Sequence, residues 1–457
     1  MPLPRKMLSP IVPADADLQV VAGAMPADLR GAIFMSGPDP VEKGQRAFYG
    51  DGVLYRISLE PGQYGAGRGQ YALRQRTIET PSHRLHMRHR EAFVPSVLGV
   101  NSPFGFSSQA NTAQVTWGDR LFVTWDAGRP VEVDPHTLGF LQEVGDHRDW
   151  GAMAAHAALP MIPTPAHPVV DPDRNCLWTC DYSPVSKVLG IVRYDGEGKH
   201  VTRWPLRNAP IPQSVHTISQ TRDWLIIVDN GYKTDIGELI GRERSAVTNQ
   251  REPVYLIRKD DLERTVPGDE VPIKRFEIGP ECMHFYADYD DSQGIRVFFE
   301  HSTDSDIACA IRPGDRDLFG RPLPDDLAGM YGLALSPQSV SLMEFDPEAG
   351  TVSERASYAD PDIIWNVQTS GRDWSARGQE NPSLHHVMYN GFRPEGVTQR
   401  QLALYEHRID RALWPAEERP CSLVSFDWKN DLKPRGVWSF ELDSWATTPV
   451  FVPRDSG

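Results

Sequence analysis

Short apolar runs closed by turn residues set the pattern of this chain. Arg120-Leu121-Phe122-Val123-Thr124-Trp125-Asp126 is one such run. A tight Ala127-Gly128 turn follows, and Arg129-Pro130-Val131-Glu132-Val133-Asp134-Pro135 is the next run. Phe48-Tyr49-Gly50-Asp51-Gly52 reads as a turn feeding the alternating stretch Val53-Leu54-Tyr55-Arg56-Ile57. Further strands are predicted at Ile191-Val192, Val254–Ile257, Val340–Phe345, Leu402–Tyr405, Ser422–Phe426 and Gly436–Phe440. Runs this short, bounded by Gly, Pro, Asn and Asp, are strand signals, and no heptad pattern competes with them. The expectation is one all-β domain over residues 1–457, with long polar inserts at about 230–252 and 301–335.

Two stretches depart from this rhythm. Residues 1–30 read as a Pro-rich arm. In residues 80–110, His83, His86 and His89 alternate with Arg84, Arg88 and Arg90. That spacing predicts a solvated basic helix or loop, with metal binding as the minor reading. Phe93–Val100 and Phe104-Gly105-Phe106 are apolar without being strand-like. They are expected to cap the core, the alternative being a patch beside the mouth of an apolar tunnel.

One unit occurs three times: a His, a hairpin turn, then a strand. His167 precedes Leu177-Trp178-Thr179-Cys180; His216 precedes Trp224-Leu225-Ile226-Ile227-Val228; His284 precedes Ile295-Arg296-Val297-Phe298-Phe299. The separations are 49 and 68 residues. A propeller blade takes roughly 40–50 residues, so the first interval is one blade and the second is one blade with an insertion. Equivalent positions on successive blades face one axis, which predicts that the three imidazoles converge.

Composition narrows the functional classes. The net charge is −15 and the pI about 5.4, so a phosphate backbone is an unfavourable partner and nucleic acid is not expected. The 5 Cys are read as reduced and mostly buried, which suits the cytoplasm. No apolar run approaches the ~20 residues that span a bilayer, and Met1-Pro2-Leu3-Pro4-Arg5-Lys6 lacks the apolar core of a secretory signal.

A single His beside an apolar run is commonly just a hydrogen-bonded residue. Three in one repeated context supply a geometry. An all-imidazole set suits Zn, Cu or Fe rather than Mg or Ca, and coordination positions it leaves empty are open to water, dioxygen or substrate. Each ligating ring needs an acceptor for its other N–H. Asp126 and Asp360 are candidates for that role, with ordinary turn acids as the competing reading. Asp288, Asp290 and Asp291 are expected to be a solvated turn. No nucleophile elbow, phosphate loop or dinucleotide fingerprint stands in a suitable context.

At these residues the chain resembles the carotenoid cleavage oxygenase family, also called the retinal pigment epithelial membrane protein family. The resemblance rests on the Gly50-Asp51-Gly52 strand, Ala110-Asn111-Thr112-Ala113, Trp125-Asp126-Ala127-Gly128, Val133-Asp134-Pro135, Ala166-His167-Pro168, His216 with Thr221, Met283-His284-Phe285, and Pro449-Val450-Phe451-Val452-Pro453-Arg454. It implies a seven-bladed β-propeller with Fe(II) on its axis and a cap of helices and loops over the metal-bearing face. It also implies dioxygen-dependent cleavage of a conjugated C=C bond in a carotenoid, apocarotenoid or stilbene-like substrate. His167, His216 and His284 match three of the family's four iron ligands. The fourth lies beyond the Phe-Val-Pro-Arg stretch, where this chain ends; His385, His386 and His407 precede that landmark. The last blade is therefore expected to be incomplete. Asp126, Asp360 and Thr448 stand where the family places ligand-supporting Glu residues. Trp125 stands where the stilbene-cleaving branch carries Lys, which favours apolar polyenes.

The expected function is thus Fe(II)-dependent cleavage of an apolar conjugated alkene by O2 to carbonyl products, with peripheral membrane contact favoured by such a substrate. The alternative is a catalytically inactive propeller that binds a lipophile or a protein partner.

Overall fold

The computed structural model describes residues 14–26, 28–39, 48, 50–59, 71–88, 108–151, 162–184, 186–198, 200–233, 243–245, 247–307, 309–372 and 382–452. The chain forms two compact units. One is built mainly from Leu8–Asp181 and Val192–Arg203, the other mainly from Tyr182–Ile191 and Trp204–Pro453.

The described residues form six antiparallel sheets of four strands each. The first holds β1 (Ala14–Leu18), β2 (Ala32–Asp39), β3 (Asp51–Ser58) and β4 (Tyr71–Thr77), in the order β1-β4-β3-β2. The other five run in chain order. They are β5 (Ala113–Trp117), β6 (Arg120–Thr124), β7 (Val131–Val133) and β8 (Phe140–Glu143); β9 (Val169–Asp171), β10 (Cys176–Ser183), β11 (Val188–Tyr194) and β12 (Thr202–Leu206); β13 (Ile218–Gln220), β14 (Trp224–Val228), β15 (Glu252–Arg258) and β16 (Ile273–Ile278); β17 (Cys282–Ala287), β18 (Ile295–His301), β19 (Ser339–Asp346) and β20 (Thr351–Ala359); and β21 (Val367–Arg372), β22 (Leu384–Tyr389), β23 (Ser422–Asp427) and β24 (Lys433–Ser439).

This corrects two expectations. The described residues make six sheets, not seven, and the last of them, β21–β24, is a full four-stranded sheet rather than a partial one. The arm at 1–30 is also not wholly irregular, because Ala14–Leu18 pairs with Tyr71–Gln75 as the edge of the first sheet.

Apolar side chains pack between successive sheets. Leu54 and Ile78 meet Leu121, Val123 and Val131 in one cluster. Ile226, Val254 and Leu256 meet Phe285, Val297 and Phe299 in another, and Phe298 and Leu342 meet Val387, Val424 and Phe426 in a third. Central strands buried on both faces read as continuous apolar runs, which is why Trp224–Val228 and Ile295–Phe299 show little alternation.

Two glycines are required sterically. A Cβ on Gly52 would lie 1.9 Å from the Ala110 carbonyl oxygen, and one on Gly128, at φ +90°, would lie 2.5 Å from Ser108 N. The Gly-Asp-Gly and Ala-Gly turns therefore admit no side chain there.

Three further readings change. The run Leu402–Tyr405 is not a strand but the end of a helix, Gln399–Tyr405. The Thr398 side chain caps it by accepting from Gln401 N, and Gln401, Leu402 and Tyr405 face inward. An apolar run this short cannot reveal its own period. Residues 81–88 do form the expected basic helix, yet His83 is not solvated: its Nδ1 lies 2.8 Å from the buried Asp51 carboxylate. Hydrogen bonding to Asp51 raises the His83 pKa. His89 and the apolar stretch 93–106 lie outside the described residues. Asp288 is buried, not part of a solvated turn. All five Cys are buried and none forms a disulfide, as expected.

Candidate metal centre

Each of the three histidines stands at the entry to the first strand of a sheet. His167 precedes β9 and His216 precedes β13, each by two residues, while His284 lies within β17. Three consecutive sheets thus repeat one placement, as the hairpin unit predicts. One ring nitrogen from each of His167, His216 and His284 lies within 4.8 Å of the others.

Local devices aim each ring. The Trp125–Gly128 turn is laced to the segment leading into His167. Thr164 Oγ1 lies 3.1 Å from the Trp125 carbonyl and 2.6 Å from that of Gly128, and Thr164 N donates to the Asp126 carbonyl. The Ala166 carbonyl in turn accepts from Thr124 Oγ1. His284 follows a bulge: the β17–β18 register shifts between Cys282 and His284, with Met283 as the extra residue. Bulges re-aim side chains beside functional sites. His284 then stands directly opposite Glu300.

The buried His216 and His284 rings approach with their Nε2 atoms 3.2 Å apart. Metal–imidazole bonds are about 2.0–2.1 Å long, so two nitrogens on one ion at right to tetrahedral angles stand roughly 2.9–3.4 Å apart. The observed spacing fits that chord. The donor set, three imidazoles with no thiolate, also fits a first-row transition metal.

Behind His284 lies a group that sequence reasoning missed. Glu300 is fully buried in β18; its Oε2 lies 3.3 Å from His284 Nδ1 and its Oε1 lies 3.4 Å from His385 Nε2. His385 is also within 2.7 Å of Ser370 Oγ and stacks on Phe298 at 4.0 Å between ring centroids. Burial pushes the Glu300 carboxyl up, but the hydrogen bonds and charges of His284 and His385 outweigh it and hold the group at about 2. A carboxylate 3.3 Å from Nδ1 favours the tautomer that carries its proton there, the one in which Nε2 can ligate. A signal was present: His284 and Glu300 are equidistant from Ser292 at the centre of the hairpin turn, and a Glu directly after the run Ile295–Phe299, still within β18, is out of place unless it has partners.

The other nominated residues have different settings. Trp125 is buried. Asp360 accepts from Tyr358 Oη and from Asp362 N at the end of β20, the pattern of a turn acid. Thr448 is exposed.

Four-stranded antiparallel sheets in series are the pattern of a β-propeller, here with a candidate three-imidazole site. The model of the retinal pigment epithelial membrane protein family matches residues 10–457, and the chain belongs to that family. The chain is 24% identical over 312 residues to the probable carotenoid cleavage dioxygenase 4, chloroplastic, of Arabidopsis thaliana, an alignment covering 62% of this chain and 49% of that one. It is 25% identical over 298 residues to the apocarotenoid-15,15'-oxygenase of Synechocystis, covering 60% of this chain and 56% of that one. These alignments span about half the length of the relatives. The crystal structure of the cobalt-substituted Synechocystis apocarotenoid oxygenase superposes with a TM-score of 0.63 at 18% identity, covering 99% of this chain and 86% of that one. That likeness is one of fold and assigns the β-propeller.

Proposed function

We propose that this protein is a non-haem Fe(II)-dependent oxygenase that uses O2 to cleave a conjugated C=C bond of a carotenoid- or apocarotenoid-like substrate into carbonyl products. The observation that carries the reading is the meeting of His167, His216 and His284, one from each of three consecutive sheets. These residues would hold the iron, which when bound supplies the site for dioxygen chemistry.

The chain's own contribution is orientation and desolvation. We assign to Glu300, whose Oε2 lies 3.3 Å from His284 Nδ1, the role of favouring a proton on Nδ1, so that Nε2 presents its lone pair. The bulge at Met283 turns that ring toward His216. We assign Trp125 to the wall that meets the apolar substrate, and Asp126, whose carbonyl accepts from Thr164 N, to the support of the loop that carries His167; Asp360, bonded within its own turn, and the exposed Thr448 are given no such role. We place the protein in the cytoplasm, meeting its substrate at a membrane surface; among the described residues no helix is long and apolar enough to cross a membrane.

The test is anaerobic reconstitution with Fe(II), followed by oxygen uptake on adding an apocarotenal and detection of aldehyde products by mass spectrometry. Uptake that a chelator abolishes is expected. Protein that holds one iron per chain yet consumes no oxygen with any carotenoid, apocarotenoid or stilbene would overturn this reading in favour of a lipophile-binding propeller.

A further inference from the structure

Between the strands carrying His216 and His284 runs a regular set of side-chain bonds. On β13 and its flanks, Thr217, Ser219 and Thr221 recur with the period of two that places them on one face. Thr217 Oγ1 donates to the Met283 carbonyl at 3.0 Å. Ser219 Oγ accepts from Ala287 N at 2.9 Å. Thr221 Oγ1 lies 2.5 Å from Asp291 Oδ2, which also accepts from Asp223 N. The hydroxyl ladder thus fastens the two hairpins along their length.

At its head stands Asn230, two residues beyond β14 and fully buried. Its Oδ1 accepts from His216 N at 2.8 Å and from Thr217 N at 3.3 Å. Its Nδ2 donates to the carbonyls of Cys282 at 3.1 Å and Met283 at 3.4 Å. One amide therefore grips the backbone of one histidine on its acceptor side and the residues just before the other on its donor side. No other residue type of this size carries both functions: Asp lacks the donor, and Leu lacks both. The grip falls on the bulge that turns His284, so it controls the separation of the two rings more directly than the distant rungs do.

We propose that Asn230 is a positioning residue for the metal centre, setting the separation of His216 and His284 through their backbones, while the lower rungs at Ser219 and Thr221 serve stability alone. The inference rests on the metal reading above. Its signature separates it from a general packing role. Groups that orient ligands typically contribute 10–100-fold in metal affinity, whereas a structural rung changes melting temperature and leaves the site's spectrum unchanged.

The experiment is titration of the full chain, stripped of metal, with Co(II), read as a dissociation constant and as the visible ligand-field spectrum, with melting temperature measured in parallel. Asn230→Ala is expected to weaken Co(II) binding at least about ten-fold and to shift the bands. Asn230→Asp keeps the acceptor toward His216 and loses the donor toward Cys282 and Met283; it is expected to show the same loss and decides the matter if the Ala variant does not fold. Thr221→Val is expected to lower the melting temperature with wild-type affinity and spectrum. Asn230 variants that bind Co(II) like the wild type, with unchanged bands, overturn the proposal alone. Wild-type protein that takes up no Co(II) overturns the metal reading and this proposal together.

Discussion

Replacing Glu300 tests the centre at its least replaceable support. In Glu300→Gln the side chain keeps its shape but loses its charge and one acceptor. The single remaining carbonyl must choose between His284 Nδ1, now 3.3 Å from a carboxylate oxygen, and His385 Nε2, now 3.4 Å from the other. If the amide NH2 faces His284, the Nδ1 proton has no acceptor, and the tautomer that frees Nε2 for a metal is disfavoured. Loss of such a partner costs roughly 10–100-fold in metal affinity, or about 1.4–2.8 kcal/mol. Glu300→Ala is expected at the upper end and Glu300→Gln at the lower.

The magnitude chooses the assay. At a metal concentration 1,000 times the wild-type dissociation constant, binding adds about 4.1 kcal/mol of stability, and a ten-fold weaker variant keeps about 2.7. For a chain of 457 residues that difference moves Tm by only about 1–2 °C. The dissociation constant must therefore be read directly, by anaerobic Fe(II) competition against a chelator of known affinity. If both Glu300 variants hold iron as tightly as the wild type, Glu300 does not tune His284, and the assignment of its Nδ1 as the protonated nitrogen is wrong.

Other outcomes follow from the same structure. His284→Ala removes the ring that stands 3.2 Å from His216 and is expected to abolish stoichiometric iron, measured by elemental analysis, while the protein stays folded by circular dichroism. His301 is buried and its pKa is held down to about 4 by desolvation. Its native form is neutral, so the unfolded chain binds the extra proton between about pH 4 and the unperturbed value near 6.5. Its contribution, about 3 kcal/mol at most, is therefore present above pH 6.5 and lost as pH falls toward 4. Urea unfolding of metal-free protein at several pH values should show a shallower dependence in His301→Gln, and identical slopes would refute the attribution. Gly52→Ala forces a Cβ to 1.9 Å from the Ala110 carbonyl and is expected to destabilise the chain by about 1–3 kcal/mol in the same assay. A loss under 0.5 kcal/mol would mean that the turn yields easily.

Much of this arrangement was written locally. A hairpin is a short-range object, so the apolar runs and their turns announced β13–β14 and β17–β18, and repetition of one His at the head of each announced a shared focus. Where the local signal was short or ambiguous, it failed. Leu402–Tyr405 is too brief to show a period, and a cap at Thr398 decided for helix. The sheet count came from likeness to relatives, and the described residues make six.

What sequence alone determined is many of the central strands, set by residue order within a hairpin, and the three ligand candidates, set by the recurrence of one His at the head of three such hairpins. What tertiary structure decided is everything that joins one sheet to the next. Glu300 reaches His385 across 85 positions and Asn230 reaches Cys282 across 52. No spacing rule links residues so far apart. They meet because folding buries all four side chains, and a buried polar group must then find its partner on the neighbouring strand.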